Sequence, residues 1–580
     1  MSMVEKFHAE VRPERLRTHL EWFAGVRRDT GGEGEEAAVE YLTAQLRESG
    51  VPVQVHELDC YLSYPREASL RALGADERSF ECVTHSFTVP TPDGGIRAPI
   101  RYVPDNDFSG AAGEVLLLDG LCTPITVLEA SKAGVRAIVF ANQGDAVHNM
   151  IATTIWGTPS ADQLERLPTV SAVSIAKPDG DALKARLKQG PVEIEMRTVV
   201  ETGWYPSKLP EVVIEPGASG ASDEFVLVGG HYCSWEYGIT DNATGDACLL
   251  ELARILYAGR DQLRRGVRIC WWPGHSHGRY GGSTWYADTF FRDLAERCIA
   301  YHNIDSPGVK GATQYVARHT TAEVEGFCTG VIEHVTGQAE APIHRPSRAA
   351  DQSFLANGVP AFSTYPFLPE GHPDRKPWTG GCANAWWWHS THDTLDKADI
   401  DILSNDTRVS LTAITDLTNA ELLPIDPSAA SAEALAYANE FAAATAGHVD
   451  AAAFTAAAEA LHEATTAFML HARSLSDRAA LAAANATLMG LSRVLLPVTY
   501  TKGGRFVHDP AEWSPIMRNT KSSLFPGLNP GLDLADMHGT DTYGFVKAGV
   551  VRQLNRTVDA LQQAVRMCDQ ARHQTPTASV

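Results

Sequence analysis

The sequence is short of basic residues for its length, and this shortage bears on its partners. Its 580 residues include 49 Lys and Arg against 71 Asp and Glu, which gives a formal net charge of −22. Neutralising nucleic-acid phosphates requires clustered basic side chains, so we expect no nucleic-acid partner. Apolar residues make up 44% of the chain and charged residues 21%, as in an ordinary soluble globular protein.

Long apolar runs and paired cysteine motifs are also missing. No uninterrupted apolar segment approaches the ~20 residues that span a bilayer, so we expect no membrane partner. The first residues, MSMVEKFHAEVRPERL, are charged and lack the apolar core of a signal peptide. The ten cysteines are scattered without a CxxC pair, which favours reduced thiols over a disulfide framework. These absences together predict a cytoplasmic protein.

Short apolar runs in the middle of the chain predict a parallel sheet. Residues 212–216, 224–231 and 265–272 are rich in β-branched residues, and a helical stretch, 243–259, lies between the last two. This order of strand, helix and strand predicts a βαβ unit. Open α/β sheets build their sites beyond the carboxyl ends of strands. The polar positions at those ends are His231, Asp241 and the loop 274–277.

The regions on either side of this unit have a different character. Residues 96–204 predict a small β-rich unit inserted into the first one. Residues 430–490 are rich in alanine, with larger apolar side chains at helical spacing, and therefore predict long helices. Residues 548–572 predict a further amphipathic helix. A chain of this length predicts three or four domains.

Four side chains of metal-binding type stand in short motifs far apart in the chain. They are His231 in GGHYCSW, Asp241 in TDNATG, Asp305 in HNIDSPG and His389 in WWHSTHDTLDK. Taken singly, each has an ordinary interpretation: a hydrogen-bonded core histidine, a helix N-cap, a turn aspartate and a histidine packed among tryptophans. Taken together, they offer the imidazole and carboxylate groups that suit zinc.

Together these motifs resemble the di-zinc aminopeptidase family that includes glutamate carboxypeptidase. The resemblance implies that His231 and Asp305 bind one metal ion, that His389 binds a second, and that Asp241 bridges the two. A shared carboxylate offsets the repulsion between two neighbouring dications. The segment ADQSFLANGVPAFS (350–363) resembles the family's SD-x-x-x-F stretch before the last histidine.

The resemblance extends over nearly the whole chain and implies its organisation. It implies an α/β fold, zinc exopeptidase-like, with a mostly parallel sheet flanked by helices. The catalytic domain would comprise residues 1–95 and 205–425, interrupted by a protease-associated insert, 96–204. Residues 426–580, with SSLFPGLNPGLDLADM, resemble the helical dimerisation domain of the glutamate carboxypeptidase and transferrin receptor branch. A homodimer is therefore expected.

The sequence departs from the family at the residues that carry the chemistry. In WWPGHSHGRYGGSTW (271–285), His275 stands where the family has its general-base glutamate. Ser276 stands where the family has the glutamate ligand of one metal. Cys233 replaces the aspartate that orients the first histidine, so the support of His231 is expected to be altered.

These departures leave several interpretations open. The second metal site keeps Asp241 and His389 but lacks its third ligand. His277 or His275 would supply an imidazole there, since an HxH pair in an extended segment points to one side. Alternatively, this second site is empty. We take His277 as the candidate ligand and His275 as the residue that shuttles the proton. The cofactor is one or two divalent ions, zinc first, with Fe, Mn, Ni or Cu as alternatives in an imidazole-rich site.

The substrate is expected to be a small or peptide-like molecule. Arg279 and Tyr280 are the substrate-binding candidates, and Arg279 is either a solvated loop charge or a bidentate clamp for a carboxylate. Arg345 and Arg348 carry the same two interpretations. The leading hypothesis is a metal-dependent hydrolase that cleaves an amide or peptide-like C–N bond. The alternatives are a metal-dependent lyase acting on an amino-acid derivative and a non-catalytic binding protein.

Overall fold

A computed structural model describes residues 2–74, 76–219, 221–507 and 524–573 of the chain. The strands are β1 Gln54–Ala72, β2 Arg78–Phe80, β3 Val83–Thr84, β4 Ile96–Tyr102, β5 Val115–Asp119, β6 Ala137–Ala141, β7 Ser171–Ile175, β8 Val192–Ile214, β9 Phe225–His231, β10 Gly266–Trp272, β11 Cys298–Asn303, β12 Gln314–Arg318 and β13 Ala361–Phe367.

The helices are α1 Met3–Glu10, α2 Pro13–Phe23, α3 Glu33–Glu48, α4 Pro124–Lys132, α5 Lys177–Leu187, α6 Thr244–Ala258, α7 His275–Gly278, α8 Gly281–Thr289, α9 Phe291–Arg297, α10 Glu325–Thr336, α11 Ile400–Asn419, α12 Pro427–Ala444, α13 Ala452–Ser474, α14 Arg478–Thr499 and α15 Tyr543–His573.

The strands form one continuous mixed sheet in the order β12-β13-β11-β9-β10-β8-β4-β5-β6-β7-β3. The neighbours β13, β11, β9 and β10 run parallel, and so do β4 to β7. The pairings at β8 are antiparallel, so this long strand joins two parallel halves. The α/β fold with a central sheet flanked by helices is confirmed.

The first parallel half is buried on both faces. Every residue of β9 is buried, and α6 and α11 pack against this part of the sheet. The predicted strand 224–231 and helix 243–259 therefore appear as β9 and α6, with at most one residue of difference at each end. A continuous apolar strand is what a sheet covered on both faces requires, because neither face meets water.

The second half of the sheet belongs to the region inserted between β1 and β8. These two strands pair antiparallel from Gln54 opposite Glu211 to Ala72 opposite Ile194, and they run from one half into the other. The inserted strands pack around their own core, which includes Leu117, Val139 and Ile194. The two halves are therefore tied together by backbone hydrogen bonds along two long strands.

The Ala-rich region forms long helices that pack on one another, with α13 between α12 and α15 and α14 against α15. The segment predicted as helical at 548–572 lies within α15. The first two residues of SSLFPGLNPGLDLADM, 522 and 523, lie outside the described residues. By length and composition α14 is apolar enough to cross a membrane, but a packed core helix passes the same test, so it carries no membrane assignment.

Candidate metal centre

The four candidate ligands lie where parallel strands end. His231 is the last residue of β9, and Asp305 follows β11, its parallel neighbour. Asp241 lies in the irregular turn Ile239–Ala243 that leads into α6, and His389 lies in the long loop after β13. Because the carboxyl ends of parallel strands share one edge of a sheet, these residues meet there.

Asp241 stands between the two histidines and offers one oxygen to each. Its Oδ1 lies 3.0 Å from His231 Nε2, and its Oδ2 lies 3.4 Å from His389 Nε2. Asp305 Oδ1 lies 3.8 Å from His231 Nε2. The structure thus brings together all four residues that the sequence singled out.

The other nitrogen of each histidine ring is held by a main-chain carbonyl. His231 Nδ1 lies 2.8 Å from the oxygen of Cys233, and His389 Nδ1 lies 2.9 Å from the oxygen of Asn149. Such a bond fixes the tautomer and leaves Nε2 with a lone pair. The side chain of Cys233 is turned to Ser276, with Sγ 4.0 Å from Oγ. The backbone of Cys233 therefore gives the support that an aspartate side chain was expected to give.

The donor set fits a divalent cation. His231 Nε2 is buried and makes no hydrogen bond, although carboxylate oxygens lie close to it. With Nδ1 as the donor, this nitrogen presents a lone pair to Asp241 and Asp305, which is repulsive unless a cation lies between them. Nitrogen and oxygen donors of this kind suit zinc.

Asp393 holds Asp241 in place, and the sequence reasoning missed it. Its carboxylate accepts hydrogen bonds from the backbone N–H of Thr240 at 2.9 Å and of Asp241 at 3.1 Å, and from the Thr240 hydroxyl at 2.7 Å. Burial raises the pKa of Asp393 to about 7. In the sequence, the one sign of this role was that Asp393 follows shortly after His389. Acidic residues are too common for that position alone to single it out.

His275 lies at the cluster. Its ring stacks on that of His231, with centroids 3.7 Å apart and 17° between the planes. His231, His275 and Asp305 each offer one atom that could bind a metal ion, and these three atoms lie within 4.8 Å of one another. Its Nδ1 is 2.8 Å from Asp351 Oδ2, which leaves Nε2 available to the pocket. Asp351 is the second residue that sequence reasoning missed, although it stands in the ADQSF stretch.

His277, predicted as a ligand, is placed elsewhere. Its Nε2 lies 3.8 Å from Asp29, and its ring packs against Trp235 and Tyr64, with centroids 4.5 and 5.5 Å away. Burial lowers the pKa of His277 to about 4. The prediction assumed an extended segment, whereas His275–Gly278 form the helical turn α7, in which residues two apart point to different sides.

A cavity of about 660 Å³, including its open mouth, lies over the cluster. Its walls include Asp241, His275, Arg279, Asp305, Arg318 and His389. Arg279 is 2% exposed, and burial, with Arg348 nearby, lowers its pKa to about 10. Arg318 donates to the carbonyl of Gly380 at 3.0 Å. Two guanidinium groups therefore border the same space as the candidate ligands.

Arg279 and Tyr280 reach this cavity through an unusual backbone. Both have left-handed φ values, 46° and 70°. The Arg279 carbonyl accepts a hydrogen bond from Gly157 N at 2.6 Å, and the Tyr280 ring packs on Trp156 at 4.0 Å. Such backbone strain persists only where surrounding contacts impose it.

The other two candidate arginines do not line the cavity. Arg345 forms ion pairs with Glu325 and Glu433, which link the region after β12 to α12. Arg348 donates to the carbonyl of Thr154 at 2.6 Å.

Comparison with known proteins identifies the region that carries this centre. Residues 212–414 match the family model described as Peptidase family M28. The probable lipoprotein aminopeptidase LpqL of Mycobacterium tuberculosis is 26% identical over 293 residues, 48% of this chain and 54% of that protein. The probable glutamate carboxypeptidase VP8 of Zea mays is 24% identical over 341 residues, 47% of each chain. The matches thus span about half the length of these relatives.

The fold is also that of a solved aminopeptidase. The structure titled as a zinc aminopeptidase from Bacillus subtilis superposes with a TM-score of 0.53 at 18% identity, covering 71% of this chain and 96% of the other. At that identity the likeness shows the fold alone. Zinc is the divalent metal expected for this family. Residues 212–414 of this chain therefore form a peptidase family M28 domain.

Proposed function

We propose that this protein is a metal-dependent hydrolase that cleaves an amide or peptide-like C–N bond in a small substrate. The observation that carries the proposal is the convergence of His231, Asp241, Asp305 and His389, the last three of which line one cavity. The M28 match supports it, because aminopeptidases and carboxypeptidases are among the relatives of this chain.

His231, Asp241 and Asp305 would hold the metal ion. When bound, zinc polarises a substrate carbonyl and lowers the pKa of a water molecule towards ~7. The main-chain carbonyls of Cys233 and Asn149 keep the histidine Nε2 atoms facing the carboxylates. This support needs no rearrangement when substrate enters, which is the advantage of a preorganised site.

His275 is the proton-moving residue in this proposal. Asp351 accepts from its Nδ1, so Nε2 faces the cavity beside Asp305. From there it takes a proton from the attacking water and returns it to the leaving nitrogen. An imidazole oriented by a carboxylate thereby fills the place of the expected glutamate.

Arg279 is the substrate-recognition residue in this proposal. Its guanidinium borders the cavity and is almost fully buried, so an anion beside it interacts through a medium of low dielectric constant. The planar fork of arginine suits a carboxylate. Tyr280, whose ring packs on that of Trp156 at an interplanar angle of 33°, lines the same cavity. We therefore propose substrates that carry a carboxylate near the scissile bond.

The lyase remains a second candidate because of one observation. The His275–Asp351 pair, rather than a glutamate, stands beside the cluster, and such a pair also abstracts a proton from carbon. A lyase would release its product without consuming water, which separates the two reactions.

The test is turnover of a substrate panel by zinc-loaded protein. Dipeptides, aminoacyl anilides and N-acyl amino acids, each with a free or an amidated carboxylate, are incubated with the enzyme, and products are identified by mass spectrometry. We expect cleavage with incorporation of oxygen from ¹⁸O-labelled water, abolished by a chelator and restored by zinc.

A matched pair of variants completes this test. His231→Ala is expected to lose bound metal and activity, whereas His392→Ala, at an exposed histidine of the same loop as His389, keeps both. A fully active, metal-loaded His231→Ala protein would refute the proposal. Turnover of these substrates without labelled oxygen would favour the lyase.

We also propose that the protein is a cytoplasmic homodimer. The dimer would form through the helices of residues 426–580, where Leu470 of α13 and Phe545 of α15 are 75% and 82% exposed. The location is supported by the cysteines, all ten of which are unpaired.

A further inference from the structure

We propose that this centre binds one divalent metal ion per chain, held by His231, Asp241 and Asp305, and that the position beside His389 binds none. The inference deepens the proposed function and rests on its metal-binding part. It concerns the number of ions, which the family resemblance sets at two.

Next to His231, three side chains are placed to bind a metal ion; we call this the His231 side of the cluster. His231 Nε2 faces Asp241 at 3.0 Å and Asp305 at 3.8 Å, so three side chains of different elements converge there. His275 lies on this same side, stacked on His231. Three protein ligands with one open position are what a catalytic zinc site needs.

The His389 side offers only two ligands. Asp241 Oδ2, 3.4 Å from His389 Nε2, is its one carboxylate neighbour within ion-pair distance among the described residues. Ser276, at the place of the missing glutamate, is turned to Cys233, and His277 faces Asp29. Two protein ligands fall short of the three found in catalytic zinc sites.

Two other acidic side chains near His389, Asp393 and Glu236, make contacts with other groups. Asp393 accepts hydrogen bonds from the backbone N–H of Thr240 and of Asp241. Glu236 forms an ion pair with Arg27 at 2.9 Å. A metal ion beside His389 would have to compete with these contacts for either carboxylate.

The charge balance of the cavity leads to the same number. Asp241 and Asp305 carry two negative charges, which one dication neutralises. Asp351 and Arg279, both buried, add one charge of each sign, and Arg318, which also lines the cavity, adds a further positive charge. A second dication would therefore add two positive charges that none of these side chains offsets, which is strongly unfavourable in a largely buried site.

The experiment counts metal ions and does not depend on activity. Purified protein is saturated with zinc, freed of excess by gel filtration, and analysed by inductively coupled plasma mass spectrometry. We expect one zinc per chain in the natural protein and His389→Ala, and close to none in His231→Ala. Two ions in the natural protein, or one ion lost in His389→Ala, would overturn the inference.

A gain-of-ligand variant sharpens the test. Ser276→Glu restores the carboxylate and is expected to raise the stoichiometry from one towards two, while Ser276→Ala stays at one. As a check that needs no variant, the natural protein titrated with Co²⁺ should reach its full visible absorption at one equivalent. A titration that continues to two equivalents would overturn the inference.

The two proposals fail in different ways. Two ions together with amide hydrolysis would remove the single-ion inference and leave the hydrolase. One ion with no turnover of any amide would remove the hydrolase and leave the ion count.

Discussion

At the scale of single residues, the structure shows what orients His275, the histidine that stands where the family resemblance implies a glutamate. His275 gains its direction from Asp351, whose other oxygen accepts a hydrogen bond from Ser283 at 2.7 Å. Ser283 in turn contacts Ser353, which accepts from the Trp156 indole. The position of His275 therefore depends on a chain of buried hydrogen bonds that ends in the inserted region.

Asp351→Asn is expected to lower kcat by about 10- to 100-fold, as is usual when a group that orients an active-site histidine is lost. The amide keeps the shape of the side chain but removes the charge that orients the imidazole. The measurement is steady-state kinetics together with metal analysis, and KM and zinc content should stay near those of the natural protein. Loss of zinc with unchanged kcat per bound ion would show that Asp351 serves the metal site instead.

At the scale of elements, one segment of the inserted region completes the site. Residues 148–157 lie against the M28 domain, where the Asn149 carbonyl holds His389 and Gly157 N holds the Arg279 carbonyl. Gly157 has a φ of 69°, and a Cβ there would lie 2.1 Å from Thr284 Oγ1 in α8. The contact between this segment and α8 therefore requires glycine.

Gly157→Ala is expected to lower the free energy of unfolding by about 2–4 kcal/mol, through left-handed strain plus overpacking. Urea denaturation followed by circular dichroism measures this. Gly110→Ala is the matched control: its φ is 67°, but nothing lies within 4 Å of the added methyl group, so strain alone of about 1–2 kcal/mol is expected. Equal losses in both variants would contradict the packing argument.

At the scale of the whole molecule, Glu323 lies where the M28 domain meets the helical region. Its carbonyl accepts a hydrogen bond from Asp426 N at 2.6 Å, just before α12. Its side chain is 5% exposed, and burial raises its pKa to about 7. The folded state therefore disfavours the ionised carboxylate, and this penalty grows as the pH rises from the ordinary value of 4.5 to about 7.

Glu323→Gln is expected to stabilise the protein at pH 8 by up to about 3 kcal/mol, since each pKa unit corresponds to about 1.4 kcal/mol. The gain should fall to about 1 kcal/mol or less at pH 5, where the carboxyl group of the natural protein is largely protonated in the folded state. Urea midpoints at the two pH values measure the difference. Glu340→Gln, at an exposed glutamate, is the control and should change neither midpoint; a pH-independent gain in Glu323→Gln would contradict the assignment.

The sequence by itself determined the fold of the central domain and the identity of its four candidate ligands. Strand periodicity, helix composition and short motifs are local properties of the sequence. A residue directly after a buried parallel strand must lie at the edge of the sheet where the carboxyl ends of the strands meet. The family resemblance that these motifs carried is confirmed by the M28 match.

Only the tertiary structure decided which histidine of HSH turns to the cluster, and what supports the ligands. The direction of His275 and His277 depends on α7 being a helical turn, which four residues do not specify alone. The groups that fix His231, His389, His275 and Asp241 come from distant parts of the chain or from main-chain carbonyls. Backbone atoms are the same in every residue, so no pattern of side chains reveals where they will accept a hydrogen bond.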